Sequence, residues 1–135
     1  MTRRSVAKKL GLKIYGRMVS FAVAGVPPEI MGIGPSVAIP AALKKAGLDM
    51  KDIDVFEINE AFASQATYCV NVLGVPKEKL NPRGGAIALG HPLGNTGSRM
   101  IVTLLSELER TGGKTGLVSM CIGSGMGACG VFQRE

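Results

Sequence analysis

The sequence predicts an α/β fold, a mixed five-stranded sheet covered by helices, within a single domain spanning residues 1–135. Three observations carry this reading. Runs rich in β-branched and large apolar residues alternate with segments of helical period, in the order β-α-β-α-(β)-α-β-β. Glycine, at 19 of 135 residues, clusters at 84–97 and 112–130, where it marks tight turns and close backbone approach rather than a linker. Finally, 46% hydrophobic and 19% charged residues make the chain too apolar for disorder. No uninterrupted apolar run reaches the roughly 18 residues of a membrane span.

The elements follow in order. Residues 2–10 are basic, contain serine and lack acids. Two readings fit: a mitochondrial-type leader, or the last turns of a helix ended by Gly11, with cations at the end the macrodipole favours. A domain opening on a helix end is expected to be part of something longer. Residues 13–24 read as a strand, stopped by Val26-Pro27-Pro28-Glu29. Residues 36–46 read as a helix with Pro35 in its first turn, apolar positions Val37, Pro40, Ala41 and Leu43, and Gly47 at its end. Residues 52–59 alternate acid with apolar and run into an alanine-rich helix from Glu60 to about Leu73. This βα unit puts Asn59 at the strand edge where open α/β sheets place ligands. Residues 79–81 form a short extended piece, the fifth strand. From 95 to 110, Met100, Ile101, Leu104, Leu105 and Leu108 make a helical stripe, with Asn95 or Thr96 as the cap. Residues 116–121 and 127–132 are paired strands joined by a glycine turn.

Charge and cysteine usage exclude several classes. The net charge of +6 resides in Arg3, Arg4, Lys8, Lys9, Lys13 and Arg17, all ahead of the first acid, Glu29. With no nucleic-acid motif beside it, this excess does not predict a nucleic-acid partner. Cys69, Cys121 and Cys129 are odd in number and form no C-x-x-C pair, and the chain has one histidine. A reducing compartment is expected, and a metal site is not.

That histidine, His91, lies in a glycine-rich loop from Gly84 to Gly97 ahead of a helix. An imidazole titrates near neutrality, so acid–base chemistry would begin there; a structural role fits the same placement. Cys121 ends a strand and enters the turn Gly123-Ser124-Gly125, where backbone N–H groups can meet an oxyanion. It reads equally as a small buried hydrophobe, which is the reading for Cys69 and Cys129. Asn59 fits either a helix cap or a polar group at the strand edge.

Three stretches taken together narrow these alternatives: Asn59-Glu60-Ala61-Phe62-Ala63-Ser64-Gln65, Gly84 through Arg99 with its Gly90-His91-Pro92, and Cys121-Ile122-Gly123-Ser124-Gly125-Met126-Gly127. In this order and spacing they resemble the C-terminal half of thiolases, and residues 26–35 and 56–59 look most like the peroxisomal 3-ketoacyl-CoA thiolases. The resemblance implies an acyltransferase of fatty-acid β-oxidation that cleaves 3-ketoacyl-CoA with CoA as co-substrate and no covalently bound cofactor. It implies that His91 helps form the thiolate of a nucleophilic cysteine and donates to the thioester oxygen. Asn59 would hold a water completing that oxyanion hole, Cys121 would be the acid–base, and the N–H of Gly123 would belong to a second oxyanion hole. The nucleophilic cysteine belongs to the family's N-terminal half, which the resemblance does not reach. The expected partners are therefore acyl-CoA substrates and another thiolase chain or an N-terminal half; a non-catalytic assembly module is the other expectation. The family implies the peroxisome, although Gln133-Arg134-Glu135 is not a Ser-Lys-Leu signal, and a chain without its signal would remain cytoplasmic.

Overall fold

A computed structural model describes all 135 residues. Its sheet contains β1 (Gly16–Gly25), β2 (Val55–Ile58), β3 (Thr115–Ile122) and β4 (Met126–Arg134), in the order β1-β4-β3-β2. β4 runs antiparallel to both neighbours, and β2 runs parallel to β3. The helices are α1 (Arg4–Lys9), α2 (Gly34–Ala46), α3 (Ala63–Leu73), α4 (Ala86–Leu89) and α5 (Thr96–Thr111). No helix is long and apolar enough to cross a membrane.

The two-residue alternation of the strands sorts the core into two halves. Phe56, Ile58, Leu117, Cys129 and Val131 pack with Ala38, Ile39, Ala42 and Leu43 of α2 on one face. Val55, Val118 and Phe132 pack with Met100, Leu104 and Leu108 of α5 on the other. Each large apolar side chain so withdrawn contributes roughly 1.5–3 kcal/mol, and together they hold the molecule as helix, sheet, helix. The stripe read on α5 is the face that packs. The first segment is a helix end: Gly11 stands at φ 63°, and the Leu12 N–H returns to the Ala7 carbonyl at 2.9 Å.

Several sequence expectations need correction. The sheet has four strands, because residues 79–81 contribute a single parallel bridge between Leu80 and Phe56. A 3-10 turn at Lys77–Lys79 precedes that bridge, and Asn81, at φ 41°, turns the chain away after it. The Asn81 side chain then does what a further ladder residue would do. Its Oδ1 accepts the Ile58 N–H and its Nδ2 donates to the Ile58 carbonyl, both at 2.9 Å. On α2 the buried positions include Ala38, Ile39, Ala42 and Leu43, while Val37 and Pro40 are exposed. Pro40 has no N–H for the Ser36 carbonyl, and the solvent side is where water can replace that bond. β1 starts at Gly16 rather than residue 13. α3 starts at Ala63 rather than Glu60, since Phe62 is extended and its N–H is met by Gln65 Oε1 at 3.3 Å.

β4 and the first turn of α2 approach so closely that two glycines are required. A Cβ on Gly127 would overlap the Gly34 carbonyl, and one on Gly34 would lie 2.6 Å from the Met126 carbonyl oxygen. Gly25, on the neighbouring strand, faces open space. Gly127→Ala is therefore expected to lower the urea midpoint by an amount corresponding to about 1–3 kcal/mol, and Gly25→Ala to leave it within about 0.5 kcal/mol. Equal midpoints for the two variants would refute the close-approach account.

Candidate active site

The C-terminal ends of the parallel strands β2 and β3 define one edge of the sheet. Ile58 is in register with Ser119, and the ladder runs one residue further, with the Asn59 N–H donating to the Ser119 carbonyl at 2.9 Å. Cys121 lies two residues beyond Ser119, at the same edge. Asn59 is 1% exposed, and both polar atoms of its amide lack a hydrogen-bond partner. It does not cap α3, whose cap position is Phe62.

His91 lies between α4 and α5, and the start of α5 places it at this same edge. Gly97 packs toward Met120 at the end of β3, with 3.6 Å from an ideal Cβ to the Met120 methyl carbon, whereas Gly113, past the far end of α5, lies against Asp54 ahead of β2. The histidine loop is clamped from below by Glu60. One carboxylate oxygen accepts the Ile87 N–H and the other accepts Asn81 Nδ2, each at 3.1 Å. Gly85 makes room for the clamp, since a Cβ there would overlap the Glu60 carboxylate.

Thr96 orients the ring. Its hydroxyl donates to the Pro92 carbonyl at 3.1 Å and sits 2.8 Å from His91 Nδ1. With its proton committed to Pro92, the hydroxyl oxygen accepts from Nδ1–H, which leaves the lone pair of the neutral imidazole on Nε2. Asn95, in the N-cap position of α5, makes no side-chain cap bond, so neither Asn95 nor Thr96 serves as the expected cap.

Cys121 is 9% exposed, and burial pushes its thiol pKa upward. Among the glycines that follow it, Gly123 is exposed with open space about it, whereas Gly125 and Gly127 are packing positions; a Cβ on Gly125 would lie 2.6 Å from the Val26 carbonyl oxygen. Cys69 and Cys129 are fully buried, the first donating to the Gly32 carbonyl at 3.6 Å, the second pushed up to about 12 by burial. Neither is a ready thiolate. No three His, Cys, Asp or Glu side chains converge to hold a metal ion.

The structure thus gathers Asn59, His91, Cys121 and Gly123 at one edge, with no hydrogen bond from the Asn59 amide to any of them. Sequence reading missed Thr96 as the ring's anchor and Glu60 and Asn81 as the loop's clamp. The Asn81-Pro82 pair was a visible turn signal, but its partner Ile58 is 23 residues away.

The helix–sheet–helix domain thus carries an oriented imidazole, a buried thiol and a buried amide at its strand ends. The model for the family described as thiolase, C-terminal domain, matches residues 12–134, and the chain belongs to that family. It is 68% identical over 134 residues to 3-ketoacyl-CoA thiolase B, peroxisomal, of Rattus norvegicus, covering 98% of this chain and 32% of the relative. It is 64% identical to the peroxisomal 3-ketoacyl-CoA thiolase of Homo sapiens, again covering 98% and 32%. The chain therefore spans about a third of the length of the curated relatives it matches. Among solved structures, the peroxisomal 3-ketoacyl-CoA thiolase of Saccharomyces cerevisiae superposes with a TM-score of 0.93 at 58% identity, over 99% of this chain and 38% of that one. The human mitochondrial 3-ketoacyl-CoA thiolase in complex with CoA superposes at 0.96 and 47% identity, over 99% and 34%.

Two measurements check this geometry. In ¹⁵N spectra of the imidazole, neutral His91 is expected in the Nδ1–H form, and Thr96→Val is expected to shift it toward a mixture of tautomers; an unchanged tautomer would remove Thr96 as the anchor. Alkylation of Cys121 by iodoacetamide is expected to be slower in the folded chain than in urea and to accelerate only above the ordinary thiol range. An inflection below about pH 8 would contradict a thiol held protonated by burial.

Proposed function

We propose that this chain supplies the acid–base and oxyanion half of a thiolase that cleaves 3-ketoacyl-CoA with CoA, giving acetyl-CoA and a shortened acyl-CoA. The observation that carries the reading is that one end of the sheet carries both an imidazole whose Nδ1 is tied to Thr96, leaving Nε2 unbonded, and a thiol whose pKa burial raises. The two groups have opposite bias, which a two-way proton exchange needs. Breaking the carbon–carbon bond beside the ketone leaves a thioester enolate. The Cys121 S–H gives its proton to that carbon, and the resulting Cys121 thiolate takes one from the incoming CoA thiol. His91 Nε2 accepts the proton of the nucleophilic thiol, and the resulting imidazolium Nε2–H donates to the thioester oxygen. Asn59 assists that oxyanion through a water, and the exposed N–H of Gly123 serves the second one.

All three cysteines of this chain are buried with raised pKa values, so the nucleophilic thiolate comes from a segment or chain outside these 135 residues. Support comes from the yeast relative, described as a five-layered structure made from two core domains of identical topology, and from a second yeast structure described as dimeric. In this reading residues 1–135 act as one such domain, CoA is the co-substrate, and the location is the peroxisome named for the relatives. A second reading, a non-catalytic assembly module, is favoured by the exposed row Met18, Phe21 and Val23 on β1, each about half exposed.

Complementation decides between them. The purified chain alone is expected to show no CoA-dependent loss of acetoacetyl-CoA. Mixed with a nucleophile-bearing thiolase half, it is expected to form a complex by size-exclusion chromatography and turn over. Cys121→Ala is then expected to lower turnover by about 10²-fold or more. A complex without turnover would favour the assembly reading, and full activity of Cys121→Ala would overturn the acid–base assignment.

A further inference from the structure

Beneath the candidate site lies a polar cluster of which the proposed chemistry uses only Asn59. Glu57 on β2 is two residues before Asn59, so both side chains face the α5 side of the sheet. Glu57 is 0% exposed and Asn59 1%. Arg99, in the first turn of α5, approaches Glu57, its Nη1 standing 3.6 Å from Glu57 Oε2. That separation is too long for a hydrogen bond. Five buried atoms here have no partner in the protein: both carboxylate oxygens of Glu57, both amide atoms of Asn59, and Arg99 Nη1.

The neighbouring charged groups do not fill the gap. Those facing Glu57 are Arg99 and Glu107 from α5 and Glu60 from the connection after β2. Glu107 is held by Arg83 at 2.8 Å and by Arg110 at 2.6 and 2.9 Å. Glu60 is committed to Asn81 and Ile87. Leaving a buried polar atom unpaired is costly, and more so when it is charged. Five such atoms would consume much of the small margin by which a domain is stable. A charged pair held just beyond hydrogen-bond distance is the span a bridging water occupies, and an internal water makes about three hydrogen bonds.

We propose that Glu57 and Arg99 form, against the Asn59 amide, a closed hydrated chamber, and that they are positioning residues for that amide. The chemistry of the walls sets the direction of each bond. Arg99 Nη1 donates to a water oxygen, water hydrogens point to the Glu57 carboxylate, and the remaining donor and acceptor of the water chain meet Asn59 Oδ1 and Nδ2. When Glu57 is ionised, one charge at each end polarises the chain, so the amide takes one orientation instead of two. Burial also pushes the Glu57 carboxyl up to about 7, as expected for a carboxylate whose cation is near but not bonded. If the acyl-transfer reading holds, the chamber fixes the residue that holds the oxyanion water; that consequence rests on the reading, and the hydration itself does not.

The test uses the full 135-residue chain labelled with ¹⁵N. The Asn59 side-chain NH₂ is expected to show cross-relaxation with water of the sign given by a long-lived internal water. In the double variant Glu57→Met, Arg99→Met, which removes both charges together, this signal is expected to be lost while the circular dichroism spectrum is kept. No bound-water signal in the wild type, or an unchanged one in the folded double variant, overturns the proposal. Should the double variant not fold, isosteric Glu57→Gln replaces it, with a weakened water signal expected and an unchanged one overturning. In the complemented enzyme, the folded variant is expected to lose about 10-fold in kcat with KM for CoA held, and unchanged kcat overturns the positioning role. If no complemented enzyme turns over, the acyl-transfer reading fails and the water signal alone decides the chamber.

Discussion

The hydrogen bond from the Asn59 N–H to the Ser119 carbonyl closes the parallel ladder between β2 and β3, and much of the molecule is arranged around it. A parallel pair needs a long crossover, and here the crossover contains α3, α4 and α5. Both strands point the same way, so their C-terminal ends open at one edge, and the loops leaving those ends are the histidine loop's clamp and the glycine turn. A one-residue slip of β2 would turn Phe56 and Ile58 toward α5 and Glu57 into the apolar face under α2. The core therefore enforces the register that the site requires.

Glycine acts in two separate ways in this chain. At the Gly34–Gly127 contact and beneath Glu60 at Gly85, hydrogen in place of a side chain lets two elements touch. At Gly123 nothing presses on the backbone, and the space is open toward the edge of the site. The sequence shows one glycine-rich run after Cys121, whereas packing divides it into one exposed residue with open space about it and two that hold the turn against α2 and the segment at 26–28.

Polar groups are buried here only at the site edge and at the far end of α5. Where they are satisfied, as in Asn81 on Ile58 or Glu107 between two arginines, they act as fasteners. Salt bridges to Arg83 and Arg110, with the Arg110 hydrogen bond foremost, hold the Glu107 carboxyl down at about 2, and burial drives Glu57 the other way. Glu57 on β2 and Glu107 on α5, both between the sheet and that helix, thus have opposite electrostatic fates, decided by whether a guanidinium reaches hydrogen-bond distance.

The sequence by itself determined the kinds and order of the elements, because two- and 3.6-residue apolar periods and the glycine stops are local properties. It also placed Asn59, His91, Cys121 and Gly123 as candidates, through residue types set in glycine turns and strand ends. It overcounted the strands because the turn at Asn81 reads as extended chain until its amide is seen on Ile58. It mistook the buried face of α2 because apolar residues surround that helix and only packing selects among them. Alternating acids and apolar residues at 52–59 do not distinguish one solvated face from two covered ones, so the burial of Glu57 was invisible. The tautomer of His91, the clamp of Glu60 and the Glu57–Arg99 contact beneath Asn59 were likewise beyond the sequence. The His91–Thr96–Pro92 bonds are local in sequence, but their direction is read only from the structure; the Glu60 clamp joins distant segments, and Arg99 meets Glu57 only once α5 has folded over the sheet.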